Sequence, residues 1–105
     1  MSAPDSADSV AFNHLVLTAQ LAERGALRYT PAGIPAIDCK LTHASKVHQD
    51  GQPRQVTLEI KALAIGAISG PLGALALGSS GVFSGFLATT RNGRGLLFHI
   101  TALST

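Results

Sequence analysis

The amino-acid sequence predicts an all-β domain in which five strands form a small Greek-key barrel. Three observations support this prediction. Apolar residues alternate with polar residues in most segments, which is the period of a half-buried strand. Glycine, proline, asparagine and aspartate mark short turns between these segments. No segment carries a helical pattern longer than one or two turns, and 105 residues provide for one modest core.

The first two strands are separated by a turn that follows a basic residue. Residues 15–21 have leucine or alanine at every odd position and mostly polar residues between them, so one face is expected to line the core. Arg28 comes just before the segment 30–35, whose two prolines and glycine mark a turn. A second strand is predicted from Ala36 to about Ser45.

The third strand and the connector after it are predicted from further turn signals. Asp50-Gly51 marks a hairpin, and residues 55–65 then alternate in the manner of a strand. Residues 66–81 are rich in glycine, and Gly70-Pro71 should interrupt any regular element. We therefore predict a connector with one helical turn between the third and fourth strands.

The last two strands are predicted to form a hairpin with a basic tip. Residues 82–88 and 96–101 are strand-like, and Asn92-Gly93 is the favoured pair for a two-residue type I′ turn. Arg91 and Arg94 flank this pair, so their guanidinium groups are expected to project into solvent. A hairpin with a basic tip of this kind is suited to contact with phosphates. A tip made soluble by two charges explains the same pattern.

Five antiparallel strands with a break between the third and the fourth match the OB-fold, whose loops between strands 1 and 2 and strands 4 and 5 bind oligonucleotides. Arg28, Arg91 and Arg94 fall in these two loops. Residues 12–105 contain eight lysines and arginines against four acidic residues, a mild excess that permits a nucleic-acid partner. The position of both basic loops therefore favours nucleic-acid binding over solubility alone.

Composition divides the chain at about residue 12. Residues 1–11 are polar, lack the pattern of a secretory signal and are predicted to form a disordered leader, whereas residues 12–105 are predicted to form the OB-fold domain. The single cysteine, Cys39, lies in a predicted strand, which indicates a buried side chain in a reducing, cytoplasmic compartment. The most apolar window, residues 62–78, is interrupted by glycines and is too short to span a membrane.

The sequence carries no catalytic or cofactor-binding pattern. Its four histidines are scattered, without the spacing of a zinc site. The glycine-rich segment 66–81 lacks the Gly-Lys-Ser/Thr ending of a phosphate-binding loop. We therefore expect a binding protein without enzymatic activity, metal or cofactor.

An ordered series of short motifs extends over residues 13–103. The motifs are Asn13-His14-Leu15-Val16-Leu17, Thr30-Pro31-Ala32-Gly33-Ile34-Pro35, His43-Ala44-Ser45, Gly85-Phe86-Leu87, Asn92-Gly93 and Phe98-His99. In this order and spacing the chain resembles the primosomal replication protein N (PriB) family. These are small dimeric OB-fold proteins related to bacterial single-strand binding protein (SSB).

The resemblance implies a cytosolic homodimer that binds single-stranded DNA, associates with the PriA helicase and helps to reload the replication machinery at stalled forks. It also implies that an edge including strand 1 pairs across the two-fold axis. The uncharged segment Asn13–Leu21 suits such an edge. Hand-off to a further loader protein, DnaT, varies among bacteria, so a DnaT-type or other loader partner is left open.

The resemblance also assigns residues to DNA contact. Arg28 matches a basic position between strands 1 and 2, and Arg91 matches a basic position of the strand 4–5 loop. Arg94 lies in the same loop, which is one residue shorter here. Ala44 and Thr57 depart from the pattern, because the family uses arginine and tryptophan at these positions. Weaker DNA binding than in the best-studied members is therefore expected.

Single-strand binding proteins combine a cationic groove with aromatic faces on which bases stack. Tyr29, beside Arg28, is the predicted stacking residue, and the alternative is a tyrosine that anchors its loop by packing on a neighbouring proline. Four further cations are candidates to extend the cationic path. They are Lys40, Lys46, Arg54 and Lys61.

The other aromatic residues are predicted to have structural roles. Phe83, Phe86 and Phe98 fall in apolar strand segments and are predicted to be core residues. Phe12 is expected to cap the end of the barrel.

A protein-interaction adaptor is the competing class of function. The charge excess is modest, and two DNA positions of the family are replaced in this chain. Removal of the charges of Arg28, Arg91 and Arg94 would separate the two classes, because only DNA binding should then be lost.

Overall fold

The computed structural model describes residues 11–105. The predicted leader, residues 1–11, therefore lies outside the described residues except for its last residue. A short 3-10 turn, Gly66–Ile68, precedes the one α-helix of this part of the chain. The regular elements are β1 (Leu15–Arg24), β2 (Arg28–Tyr29), β3 (Pro35–Gln49), β4 (Gln52–Ile65), α1 (Ser69–Ala74), β5 (Ser80–Thr89) and β6 (Leu96–Ser104).

Five of these strands close into a barrel, which confirms the predicted OB-fold. β1 pairs with β5 over its first half and with β3 over its second half, so the order β1-β5-β6-β4-β3 returns to β1. The two-residue β2 pairs with the start of β3. The prediction of antiparallel strands is wrong for one pair, because residues 62–64 of β4 and 98–100 of β6 run parallel. Parallel neighbours need a long connection, and here α1 and β5 supply it.

Side-chain alternation along the strands fills the barrel as predicted. The odd-numbered residues of β1 and β3 and the even-numbered residues of β4 point inward at the level of the barrel. The largest side chains with almost no exposed surface come from four strands and α1. They are Leu21, Leu41, Leu72, Phe83 and Phe98.

Two aromatic residues lie outside the predicted core. The predictions for Phe83 and Phe98 are confirmed, but Phe86 is 40% exposed and its ring stacks on that of His99 at 4.7 Å. Residues 83 and 86 are three positions apart on one strand, so they must point to opposite faces. Phe12 is 92% exposed and does not cap the barrel.

The hairpin of β3 and β4 extends beyond the barrel as an arm, defined here as residues 43–58. In the described chain these two strand segments pair only with each other, because the β1 ladder ends at Thr42. The predicted Asp50-Gly51 turn is confirmed, since both residues have positive φ, 52° and 75°. β3 and β4 are longer than predicted because their polar ends pair through the backbone without burial.

The connector between β4 and β5 contains the predicted helical turn, in a regular helix. Gly70-Pro71 does not interrupt α1, because Pro71 occupies the first turn of the helix, where a backbone N–H has no partner in any case. Leu72 is fully buried against the barrel. The Arg24 guanidinium donates to the carbonyl oxygens of Leu72 and Leu75 at the helix end. No helix within residues 11–105 is long and apolar enough to cross a membrane.

The tip of the β5–β6 hairpin differs from the predicted type I′ turn. The loop has six residues, 90–95, and its turn is closed by the Gly93 N–H, which donates to the Thr90 carbonyl at 2.8 Å. Gly93 has a φ of 74°, but Asn92 has no positive φ. Instead, the Asn92 Oδ1 accepts hydrogen bonds from the Thr90 hydroxyl (2.7 Å) and the Arg94 N–H (2.9 Å). Asparagine here stabilises the turn through its side chain.

Candidate nucleic-acid interface

The outward surface of β3 and β4 is the candidate interface and is called the outer face here. Cross-strand partners share a face of the sheet, so the ladder fixes which side chains lie together. The outward partners along this face are Asp38 and Leu63, Lys40 and Lys61, Thr42 and Glu59, Ala44 and Thr57, and Lys46 and Gln55.

Two lysines lie directly opposite each other on the outer face. Lys40 and Lys61 are Cα partners, an arrangement that costs free energy through charge repulsion. The Lys40 Nζ is 3.6 Å from the Glu23 carboxylate of β1, which offsets part of this charge. Lys61 is exposed and forms no salt bridge with a carboxylate of residues 11–105. Its ammonium is therefore available to an anion.

The loop 90–95 lies beside β4 and brings a third cation to the outer face. A groove between this loop and β4 is lined by the cations Lys61 and Arg94 and by Glu59, with Leu58, Ile60 and Leu96 among its apolar residues. The structure therefore brings together two of the predicted DNA-binding residues that are 33 positions apart in the sequence. Arg91 is exposed in the same loop.

Arg28, a predicted DNA-binding residue, forms hydrogen bonds with a neighbouring side chain of β3. Its Nε and one terminal nitrogen donate to the two carboxylate oxygens of Asp38, at 2.8 and 3.2 Å. These hydrogen bonds and the charge of Asp38 raise the pKa of Arg28. Both side chains are half exposed, so the pair is screened by solvent and is weak. A phosphate at Arg28 has to compete with this carboxylate.

We expect the substitution Asp38→Asn to strengthen binding of single-stranded DNA, because it releases Arg28 and removes a negative charge from the outer face. The gain is expected to be about two- to fivefold at 50 mM salt and to shrink as salt screens the charges. Fluorescence anisotropy of labelled oligo-dT measures it. A loss of affinity would instead mean that Asp38 holds Arg28 in its binding orientation.

The position of Tyr29 is compatible with both of its predicted roles, stacking on a base and packing on a proline. It lies opposite Pro35, a neighbouring proline, in the β2–β3 ladder. At the same time 64% of its surface is exposed, next to Arg28. Its ring is therefore accessible for stacking.

The arm separates two of the predicted cations. Lys46 is a partner of Gln55 and continues the outer face, whereas Arg54 is a partner of Val47 and points to the other side of the arm. The structure thus places Lys46 on the same face as Lys61, and it places Arg54 away from them.

A second groove on the outer face lies where the arm leaves β1. Its lining combines uncharged polar residues, among them Thr18, Gln20, Thr42 and Thr57, with apolar residues and Glu59. The His43 ring spans the junction: its Nδ1–H donates to the Thr18 carbonyl at 2.6 Å, and its Nε2 lies 2.8 Å from the Ser45 hydroxyl. This groove cannot be recognised in the sequence, because its residues come from four strands and form no motif.

Cys39 is a buried, free cysteine beneath the outer face. Burial, with a smaller contribution from the charge of Asp38, raises the pKa of its thiol to about 11. Residues 11–105 contain no group of three or more histidine, cysteine or acidic side chains that could hold a metal.

We expect Cys39 to react slowly with iodoacetamide in the folded protein. A thiol with a raised pKa stays protonated at pH 8, and the thiolate is the reactive form. Alkylation at pH 8 should be at least about 100-fold slower than in urea, where the thiol has its ordinary pKa of about 8.5. Mass spectrometry over time measures both rates, and equal rates would contradict the burial of this residue.

Comparison with known proteins agrees with this architecture. A family model described as "Another single-strand binding protein family" matches residues 13–102. The replication restart protein PriB of Bordetella pertussis is 44% identical over 79 residues, which is 75% of this chain and 74% of that protein. PriB of Nitrosomonas europaea is 29% identical over 98 residues, 92% of this chain and 91% of its own length.

Solved structures give the same result. PriB from Ralstonia solanacearum superposes with a TM-score of 0.82 at 39% identity, covering 90% of this chain and 97% of that one. The SSB domain of a Synechococcus protein has a TM-score of 0.71 at 17% identity and covers 92% of this chain and 99% of that one, a likeness of fold. This chain therefore belongs to the PriB family of replication restart proteins, within the OB-fold single-strand binding proteins.

Proposed function

We propose that this protein is a cytoplasmic accessory factor of replication restart that binds single-stranded DNA and assists the PriA helicase at stalled forks. Membership of the PriB family supports the process, and the relation to single-strand binding proteins supports the ligand. The cations of the outer face support the proposed mode of DNA binding.

The observation that carries the proposal is the excess of cations on the outer face, where Lys40, Lys46, Lys61 and Arg94 outnumber Asp38 and Glu59. Lys40 and Lys61 repel each other in the free protein, and Arg94 shares a groove with Lys61. A phosphate backbone relieves this repulsion, because it neutralises the cations and releases its counterions. The proposed path starts at Arg91 and Arg94 and crosses Lys61 and Lys40.

From there the proposed path divides between two flanking regions. Arg28 and Tyr29 flank the outer face beside β3, where the ring of Tyr29 is available for stacking. Lys46 lies along the arm, and Arg54 reaches a strand of DNA only where that strand passes around the arm.

We further propose that the active form is a homodimer paired through β1. The Leu21 N–H donates to Ser79, and the Gly78 N–H donates to Leu21, so the backbone groups of Leu21 face β5. By strand alternation the backbone groups of His14, Val16 and Thr18 face the opposite edge. Only the second half of β1 is covered there by β3. An open, uncharged edge of this kind favours pairing with a second copy.

Anisotropy of labelled oligo-dT, titrated with the protein from 50 to 300 mM salt, tests the proposed function. Affinity should fall with salt, with a slope of log affinity against log salt of about −0.7 for each neutralised phosphate. Absence of binding at the lowest salt would overturn DNA binding. The adaptor function would then stand, and direct binding to purified PriA would test it.

A further inference from the structure

Phe12 is an exposed aromatic residue at a fixed position. In residues 11–105 it is the most exposed large apolar side chain, at 92%. The next residue is held tightly: the Asn13 side chain donates to the Leu87 carbonyl at 2.7 Å and accepts from the Leu87 N–H at 2.9 Å. The ring is thus presented to solvent from an anchored backbone, at a large cost in exposed apolar area. Such a residue calls for a partner surface.

The open edge of β1 defines where a second copy would place this ring. The Thr18 carbonyl is already bound by His43, so the residues whose N–H and C=O groups are both open on this edge are His14 and Val16. A two-fold pairing centred on Leu15 uses all of them, since His14 of each copy then pairs with Val16 of the other. In this register the partner's Phe12 lies opposite Thr18.

The groove at the base of the arm lies at this point. Residues opposite each other in an antiparallel pair share a face, so the partner's Phe12 points to the same side as Thr18 and Gln20. Both of these residues line the groove, together with Ala44 and Thr57 of the outer face. The β1–β3 ladder ends at the pair Gln20 and Thr42, so β3 does not pair with β1 at Leu15 and Val16.

The outer face lacks the aromatic group that this position would supply. None of its outward partners from Asp38 to Gln55 is aromatic, although single-strand binding proteins gain much of their affinity from stacking. We propose that Phe12 of the partner subunit enters this groove and offers its ring to single-stranded DNA, so each DNA surface is built from two copies. This inference rests on the proposed function and on the proposed pairing through β1.

Site-specific photocrosslinking tests the geometry without DNA. Phe12 is replaced by p-benzoylphenylalanine. Before irradiation, this variant is mixed with a copy of the protein that carries a tag of larger mass, so that the two subunits can be told apart. The expected product is a crosslink between subunits that maps to the groove, at or next to Thr18, Ala44 or Thr57. A crosslink within one subunit, a crosslink elsewhere on the partner, or no product between subunits would overturn the inference.

A pair of substitutions tests the role in binding DNA. Phe12→Leu keeps an apolar contact but removes the aromatic ring, so dimerisation should persist while oligo-dT affinity falls about fivefold or more. Phe12→Tyr should restore the affinity. The matched control is Phe86→Leu, which changes a half-exposed phenylalanine on β5 and should leave the affinity unchanged. Equal affinity of Phe12→Leu and the wild type would overturn the DNA role.

The photocrosslink and the oligo-dT affinity together distinguish failure of this inference from failure of the proposed function. Wild-type protein that binds no oligo-dT would overturn the proposed function together with the stacking role of Phe12. A groove crosslink in that case would still establish the position of the partner's ring. Wild-type binding without the crosslink would overturn only the further inference.

Discussion

The double substitution Lys61→Ala with Arg94→Ala is expected to lower the affinity for oligo-dT at least about tenfold at 50 mM salt. These two cations line one groove on the outer face, and Lys61 forms no salt bridge with a carboxylate of residues 11–105. Loss of two phosphate contacts should also flatten the slope of log affinity against log salt by about 1.4, at 0.7 for each contact. The salt series by fluorescence anisotropy measures both quantities.

The charge-conserving pair Lys61→Arg with Arg94→Lys is the matched control. It keeps two positive charges in the groove, so it should retain most of the affinity and the salt slope of the wild type. Sedimentation velocity and circular dichroism verify that both variants keep the association state and the fold. A double alanine variant that loses affinity without any change in salt slope would contradict the phosphate contacts at these residues.

The substitution Gly85→Ala is expected to be the most destabilising glycine-to-alanine change in the barrel, by about 3 kcal/mol or more. Gly85 follows a register shift in the β5–β6 ladder. A Cβ at this position would overlap the backbone carbonyl of His99 and press on the Phe98 ring. The clash involves main-chain atoms of a paired strand, so no side-chain rotation relieves it. Urea denaturation followed by circular dichroism measures the loss.

Gly70→Ala provides the control for this experiment. The same methyl group at Gly70 meets no atom within 4 Å, and the residue lies in α1. The helix preference of alanine over glycine is opposed by the restriction that Pro71 places on the residue before it, so stability should change by less than about 1 kcal/mol in either direction. A Gly85→Ala protein with the denaturation midpoint of the wild type would show that β5 and β6 can separate without cost, contrary to this structure.

Most of the fold can be predicted from the sequence, because its strands alternate between inward and outward residues over most of their length. Phe83 and Phe98 were placed correctly in the core by this alternation, and Phe86 was placed wrongly because the apolar character of its segment was weighed above its parity. The parallel pair of β4 and β6 could not be predicted from alternation. It depends on how strands distant in sequence meet when the barrel closes.

The candidate site can be predicted from the sequence only in part. Its cations were identified as residue types, but the sequence gives no sign that Asp38 binds Arg28 ten positions away. Nor does it show that Lys46 and Arg54 lie on opposite sides of the arm. That separation follows from the register of β3 and β4, in which each shift by one residue exchanges the two faces. The register is fixed by the Asp50-Gly51 turn.

The arm has a consequence for how a ligand is held and released. Its two strands pair only with each other within the described chain, and the His43 imidazole ties its base to β1. A ladder with exposed backbone hydrogen bonds and few apolar contacts opens locally at a lower free energy than the closed barrel. The molecule therefore combines a rigid platform, which carries Lys40 and Lys61, with a lever that carries Lys46. Local opening of the arm is therefore expected to move Lys46 while Lys40 and Lys61 keep their positions on the barrel.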